Sequence, residues 1–178
     1  NGSSDFGFYN VSSQPTGVIN RIAIDDEYKL DHSFWPQKVY DMLDVEYLST
    51  IGIEITNQFV DSTLQLISTI DTKAYLDVAA SLSLVVYITE SHILAKQVDG
   101  SQTVEDYEHN HVLRGGLTGT WGEEISSSIL DADAVISKEF TYTLDPTWMP
   151  QNCKVIAIIS NTETKEVLQV EEMEVVND

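Results

Sequence analysis

The chain has 178 residues, 42% of them hydrophobic, enough to bury a core without help from metal or disulfide. Its 9 basic residues face 29 acidic ones, a formal charge of −20 that repels nucleic-acid phosphates and anionic lipid but leaves cationic peptides, basic proteins and divalent cations as admissible partners. A single cysteine, Cys153, excludes an intrachain disulfide, a Cys-x-x-Cys redox pair and a cysteine zinc site, and no apolar run reaches the roughly 18 residues of a membrane span.

The chain starts Asn-Gly-Ser-Ser-Asp, without an initiator Met or a signal-peptide pattern, and so reads as a piece of a longer protein or a proteolytic product. Gln14-Pro15-Thr16-Gly17 is a turn signal, and the apolar run Val18–Ile24 after it predicts a short strand. Asp25-Asp26-Glu27 opens a charged connector. Ser33 then caps a helix predicted to run to about Glu46, with Pro36 tolerated in its first turn. Trp35, Val39, Met42 and Leu43 form one apolar stripe on that helix, expected to pack against a sheet.

After Tyr47 the period changes from helical to two. Ile51, Ile53 and Ile55 alternate with Gly52, Glu54 and Thr56, and Leu64, Leu66 and then Ser68 or Ile70 continue the alternation beyond a turn at Asp61-Ser62. Ala79–Glu90, Val135–Leu144, Lys154–Ser160 and Val167–Val175 supply four more strands, the last two joined by a polar turn at Asn161–Lys165. Cys153 opens a buried strand and reads as a core thiol rather than a nucleophile. Six or more strands preceded by one helix predict a mainly β fold. The expected architecture is an antiparallel β-sandwich, jelly-roll or Greek-key-like, over residues 48–178, with residues 1–47 forming a separate unit.

A long connection between residues 90 and 135 stands out, because such segments in compact domains are often functional. His109 and His111 would face one way if extended, as a chelating pair requires, with His92, Glu108 or Glu123 to complete a site; two well-spaced ligands still fall short of the three or four that zinc needs. Gly115, Gly116, Gly119 and Gly122 suggest a phosphate cradle, but Glu123-Glu124 follows where Lys-Ser would have to stand. Glu123 with a partner carboxylate or His109 makes an acid/base pair only of the kind that chance supplies in so acidic a chain. Asp131-Ala132-Asp133 and Asp25-Asp26-Glu27 lack calcium-loop spacing and read as solvated turns. Tyr107, Trp121, Tyr142 and Trp148 suit either a sugar or peptide platform or buried anchoring, the second being the commoner use. These residues predict no catalytic group, no metal and no cofactor.

The run Tyr107-Glu108-His109-Asn110-His111-Val112-Leu113-Arg114, followed by Leu117-Thr118-Gly119-Thr120-Trp121-Gly122-Glu123, resembles the signature of the 28-kDa outer-membrane protein family, lipoproteins of Bacteroidetes-type Gram-negative bacteria. Tyr87–Glu90 with Gln97, Asn152 with Val155–Ser160, and Val167–Glu171 extend the resemblance to about residues 80–175. Gln14–Arg21 is similar to the later part of a thioredoxin-like domain, which makes Pro15 its cis-proline and residues 1–47 its strand-and-helix remnant, without the redox cysteines. The resemblance implies a lipid-anchored outer-membrane protein, surface-exposed or facing the periplasm, an adhesin or receptor whose anchor lies outside this chain. Asp61-Ser62-Thr63 also resembles the O-glycosylation motif of that bacterial group.

The signature residues His109, His111, Arg114, Trp121 and Glu123 are the candidate binding residues, with a host or envelope protein or peptide as partner. They equally suit a bracing role, Arg114 pairing with Glu123 or Glu90 while Trp121 pins the connection to the sheets. The alternatives are a structural or assembly domain of an envelope complex and, behind it, a metal-assisted hydrolase at His109 and His111.

Overall fold

The computed structural model describes residues 16–23, 28–43, 49–99 and 101–176. The proline turn at Pro15, the Asp25-Asp26-Glu27 cluster and the expected boundary at residues 47–48 lie outside them. In the first part, β1 (Thr16–Gly17) and β2 (Leu30–Asp31) form a short antiparallel ladder. The strand expected over Val18–Ile24 is instead a turn: Asn20 and Arg21 take left-handed φ of 48° and 55°, and the Ile22 N–H donates to the Ile19 carbonyl.

A single 3₁₀ turn, His32–Phe34, leads into α1 (Trp35–Leu43). Its cap is Asp31 rather than Ser33. The Asp31 carboxylate accepts the Ser33 N–H at 3.0 Å and the Ser33 hydroxyl at 2.6 Å, one turn before the helix proper. Trp35 folds back onto the ladder, its indole N–H on the Leu30 carbonyl and its ring where a Cβ on Gly17 would come within 2.6 Å. The apolar stripe does not pack as expected. No residue of α1 is buried, and Val39 and Leu43 are exposed.

From Ile51 onward the chain is almost all strand and antiparallel. The first half holds β3 (Ile51–Val60), β4 (Gln65–Ala74), β5 (Val78–Ala79), β6 (Leu82–Glu90), β7 (Ile93–Asp99) and β8 (Gln102–His109). The second holds β9 (Val112–Gly116), β10 (Glu123–Ser126), β11 (Ile129–Leu130), β12 (Val135–Thr143), β13 (Cys153–Asn161) and β14 (Val167–Glu174). One sheet has the order β12-β4-β3. In the other, β6 is central, with β13 and then β14 on one side and β9 and β10 both on the opposite side. The ladder β5–β11 is minor, and β7–β8 is a ribbon of its own.

Alternation explains the core. Ile51, Ile55, Leu66, Ile70 and Ala74 of the first sheet meet Leu82, Leu84, Val86 and Ile88 of β6 and Val155, Ala157 and Ile159 of β13 in one apolar cluster. Each of the larger side chains contributes about 1.5–3 kcal/mol by leaving water. Cys153 lies in that cluster, fully buried, as its place at the head of a strand predicts. The two sheets are tied at one side: the Asn57 amide donates to the Glu174 carbonyl at 2.8 Å, and the Gln169 amide to the Ile51 carbonyl at 3.2 Å. Asp61-Ser62-Thr63 forms the exposed 3₁₀ turn between β3 and β4. Asp131-Ala132-Asp133 is also a turn, held by the Asp77 carboxylate on the Ala132 N–H and by Lys73 at 3.8 Å from Asp133. Among the described residues no helix is long and apolar enough to cross a membrane.

Candidate functional site

The segment expected to be a long connection is largely strand. β9 and β10 run end to end along one edge of β6, Tyr87–Glu90 pairing with β9 and Leu82–Leu84 with β10. Residues 117–122 bulge out between them. There the Leu117 N–H donates to the Val86 carbonyl, and the Thr118 hydroxyl accepts the Val86 N–H at 3.0 Å, so a side chain replaces the missing strand partner. The Tyr87 hydroxyl donates to the Thr120 carbonyl at 3.1 Å. Gly122, at φ 81°, sits so close to β6 that a Cβ would lie 2.4 Å from the Leu84 carbonyl oxygen. Residues 117–122 thus complete the edge of β6, whose residues are all buried except the half-buried Tyr87. Of the four glycines, Gly116 and Gly122 lie against Tyr87 and Leu84 of β6, Gly115 faces Tyr142, and Gly119 has open space around it.

The five candidate residues do not converge on one site. Arg114 pairs with Glu90, not Glu123: its Nε is 2.7 Å from Glu90 Oε2. Glu90 shares the register parity of the core residues and is only 3% exposed, so a buried carboxylate demands this partner; its other oxygen accepts the Met149 N–H at 2.9 Å. The guanidinium lies 5.8 Å from the Trp148 ring, which stacks on Tyr142, and the absent Cβ of Gly115 leaves room for the Tyr142 hydroxyl. Trp121 is half-buried between two other cations, Arg21 at 5.4 Å and Lys165 at 5.3 Å from its centroid. With the Val167 N–H on the Asn20 carbonyl, this fastens the N-terminal segment to the sheets. Trp121, Tyr142 and Trp148 are anchors, whereas Tyr107 is exposed. Glu123 is exposed at the start of β10.

The histidines sit at the root of the β7–β8 ribbon. His109 ends β8 and packs edge-on against Tyr107 at 4.9 Å. His111 takes φ 54°, so the pair is not extended and the chelating geometry is lost. Among the described residues no three His, Cys, Asp or Glu side chains converge to hold a metal ion. His92, also left-handed, bonds Glu108 instead: its Nδ1 is 2.8 Å from Glu108 Oε1, and its N–H donates to Asn110 Oδ1. The His111 N–H donates to the Ser91 hydroxyl. His92 and His111 border a shallow polar hollow of about 410 Å³ with Ser91, Asn110, Lys154 and Glu174.

Within the segment that reads as a connection, β7 and β8 form a ribbon. β7 and β8 pair through Ile93↔His109 to Asp99↔Gln102 and, among the described residues, with no other strand. Leu94, Val98, Val104 and Tyr107 are 66%, 69%, 42% and 45% exposed, an unusual apolar display for so polar a chain. Asp99-Gly100 between two runs of strand formers is the signal that marks it, since Asp-Gly favours tight hairpin turns.

No curated protein sequence matches the chain. Its structure is similar to the crystal structure of a domain of the outer membrane lipoprotein Omp28 from Porphyromonas gingivalis, at 22% identity and a TM-score of 0.51, covering 72% of this chain and 90% of that one. That identity speaks for the fold alone. A β-glucosidase from Listeria innocua is matched over 71% of this chain and 16% of its own, at 16% identity and a TM-score of 0.33, which carries no argument. The family model for Outer membrane protein Omp28 matches residues 6–178, so the chain belongs to the Omp28 family of outer-membrane proteins.

Proposed function

We propose that this chain is the non-catalytic binding module of an outer-membrane lipoprotein, an adhesin or receptor that holds a protein or peptide on the β7–β8 ribbon. The observation that carries this reading is the ribbon's exposure: four large apolar side chains stand in solvent on a hairpin that belongs to neither sheet. Membrane attachment would come from a lipid anchor outside this chain, as the name of the Porphyromonas gingivalis relative suggests. Of the five signature residues, Arg114 and Trp121 brace the fold, and His109 and His111 shape the ribbon's root. The test is to replace residues 94–108 by a short Gly-Ser turn and measure saturable binding to immobilised extracellular-matrix proteins. Binding should disappear while the melting temperature stays within a few degrees; unchanged binding would remove the ribbon from the site.

A second reading, an assembly domain of an envelope complex, is favoured by a different surface. Phe34, Tyr40 and Leu43 of the helical segment are 57%, 64% and 79% exposed. The order of a short antiparallel ladder followed by a helix also supports reading residues 1–47 as the end of a thioredoxin-like domain and 48–178 as a separate β-sandwich. Sedimentation showing a strict monomer that binds no other envelope component would count against the assembly reading.

A further inference from the structure

We propose that the outer edge of β7 takes up an added strand, and that the strand it accepts is a basic, extended segment of another protein. The inference rests on the ribbon being the binding surface and adds how it binds and what it selects.

The ribbon pairs only with itself among the described residues, so the outward N–H and C=O groups of both strands lack ladder partners. The two edges differ. Between Ala95 and Gln97 a single residue, Lys96, lies opposite two, Glu105 and Asp106, so β8 carries a bulge. A bulge twists an edge away from new partners, and Glu105, Asp106 and Glu108 add charge to the same strand. β7 has no bulge. It is a regular seven-residue strand without proline, and its exposed Leu94 and Val98 flank Lys96 on one face. Lys96 would ordinarily guard such an edge, but its Nζ is 2.8 Å from Glu105 across the ribbon and so is drawn toward β8.

Charge selects the occupant. The ribbon holds one lysine against four carboxylates within a chain of net charge −20. That field attracts a cationic strand and resists a second copy of this chain, which would otherwise find a self-complementary edge. The root is already ordered by the bonds from His92 to Glu108 and Asn110 and by the Ser91 N–H on the Asn152 carbonyl. A fixed root lowers the ordering cost of binding, and backbone bonds with alternate side-chain contacts are the usual terms of strand addition.

The test uses the whole chain and a synthetic nine-residue peptide of alternating Lys and Val. Controls are the Glu-for-Lys peptide and a Lys-Val peptide N-methylated at alternate residues. Amide exchange and two-dimensional NMR report on each strand, and peptide-side controls avoid any question of misfolded variants. The expected result is protection of alternate β7 amides with β8 unchanged, and binding at least tenfold weaker for either control. Equal binding of the N-methylated peptide overturns strand addition while leaving the ribbon as the surface. Protection on β8, or concentration-dependent protection of β7 without peptide, also overturns it, the latter in favour of a second copy. If no ribbon resonance moves with any peptide and the ribbon replacement above leaves matrix binding intact, both readings fall.

Discussion

Arg114 Nε lies 2.7 Å from Glu90 Oε2, and this contact closes the end of the core. Glu90 is nearly sealed from water whereas Arg114 is 29% exposed, so the two partners are unequal. Removing Arg114 strands a buried carboxylate with one remaining donor, the Met149 N–H. Arg114→Met should therefore cost about 3–5 kcal/mol, a drop in melting temperature of roughly 10 °C for a chain of this size. Glu90→Gln keeps an acceptor for Arg114, whose guanidinium can still reach water, and should cost less. Thermal denaturation of both variants checks the order; equal losses would mean that the pair is not the constraint described.

Gly122 and Gly119 lie in one turn but should respond unequally to alanine. A Cβ on Gly122 meets the Leu84 carbonyl oxygen at 2.4 Å on a backbone at φ 81°, while nothing lies within 4 Å of one on Gly119. Gly122→Ala should destabilise by about 2–3 kcal/mol through backbone strain. Gly119→Ala should stay within about 0.5 kcal/mol. Urea titrations of the two variants provide the comparison.

Trp121→Ala should loosen the N-terminal segment more than the sheets. The ring holds Arg21 and Lys165, and the bond from the Val167 N–H to the Asn20 carbonyl does not depend on it. Each cation–π contact is worth about 0.5–2 kcal/mol, depending on desolvation. Limited trypsin digestion should show cleavage after Arg21 at least tenfold faster, with the β6 amides still protected from exchange. Cleavage unchanged from the parent would show that the ring does not hold this segment.

The strands that could be read in advance were those with a one-sided or wholly apolar pattern. Ile51–Ile55 alternates because one face of β3 is buried, and β6 is apolar without a break from Leu84 to Ile88 because both its faces are buried. The ribbon escaped because both its faces are wet, so burial imposes no period on β7 and β8, and only Asp99-Gly100 marks the turn. The run Val18–Ile24 reads as a strand because its apolar residues suit one, whereas the left-handed Asn20 and Arg21 reverse the chain. Arg114 was legible as a rare cation needing a carboxylate, but the choice between Glu90 and Glu123 depends on strand register. His109 and His111 promised a shared face only for extended backbone, which the φ of His111 breaks.

Cys153 should be chemically silent in the folded chain. Burial in the core, with a smaller contribution from Glu90 and a partial offset from Arg114, pushes its thiol up to about 11. At pH 8 about one thiol in a thousand would be ionised, and the sulfur is also out of reach. A chromogenic disulfide reagent should label less than a tenth of the chain over an hour in buffer and all of it in denaturant. Rapid labelling of folded protein would mean that the core opens far more often than this packing implies.

The ribbon's root should titrate in acid. Glu108 is held below its ordinary value of 4.5, first by the bond from His92 and then by the one from Asn110, slightly opposed by desolvation. A carboxylate whose folded value is depressed adds stability that is complete above its unfolded value and lost as pH falls through the folded one. The contribution of the His92–Glu108 contact is therefore intact at neutral pH and disappears below about pH 4.5, a window set by the direction of the shift. Asp31 and Asp145 are depressed for similar local reasons, so global unfolding in acid cannot isolate this contact. The His92 backbone amide and the Asn110 side-chain amide can, since Asn110 bonds both His92 and Glu108. Their NMR shifts should move with a midpoint under 4.5, and Glu108→Gln should abolish that movement while leaving the β6 resonances in place. A midpoint at or above 4.5, or shifts that persist in the Gln variant, would show that Glu108 does not hold the ribbon to the sheets.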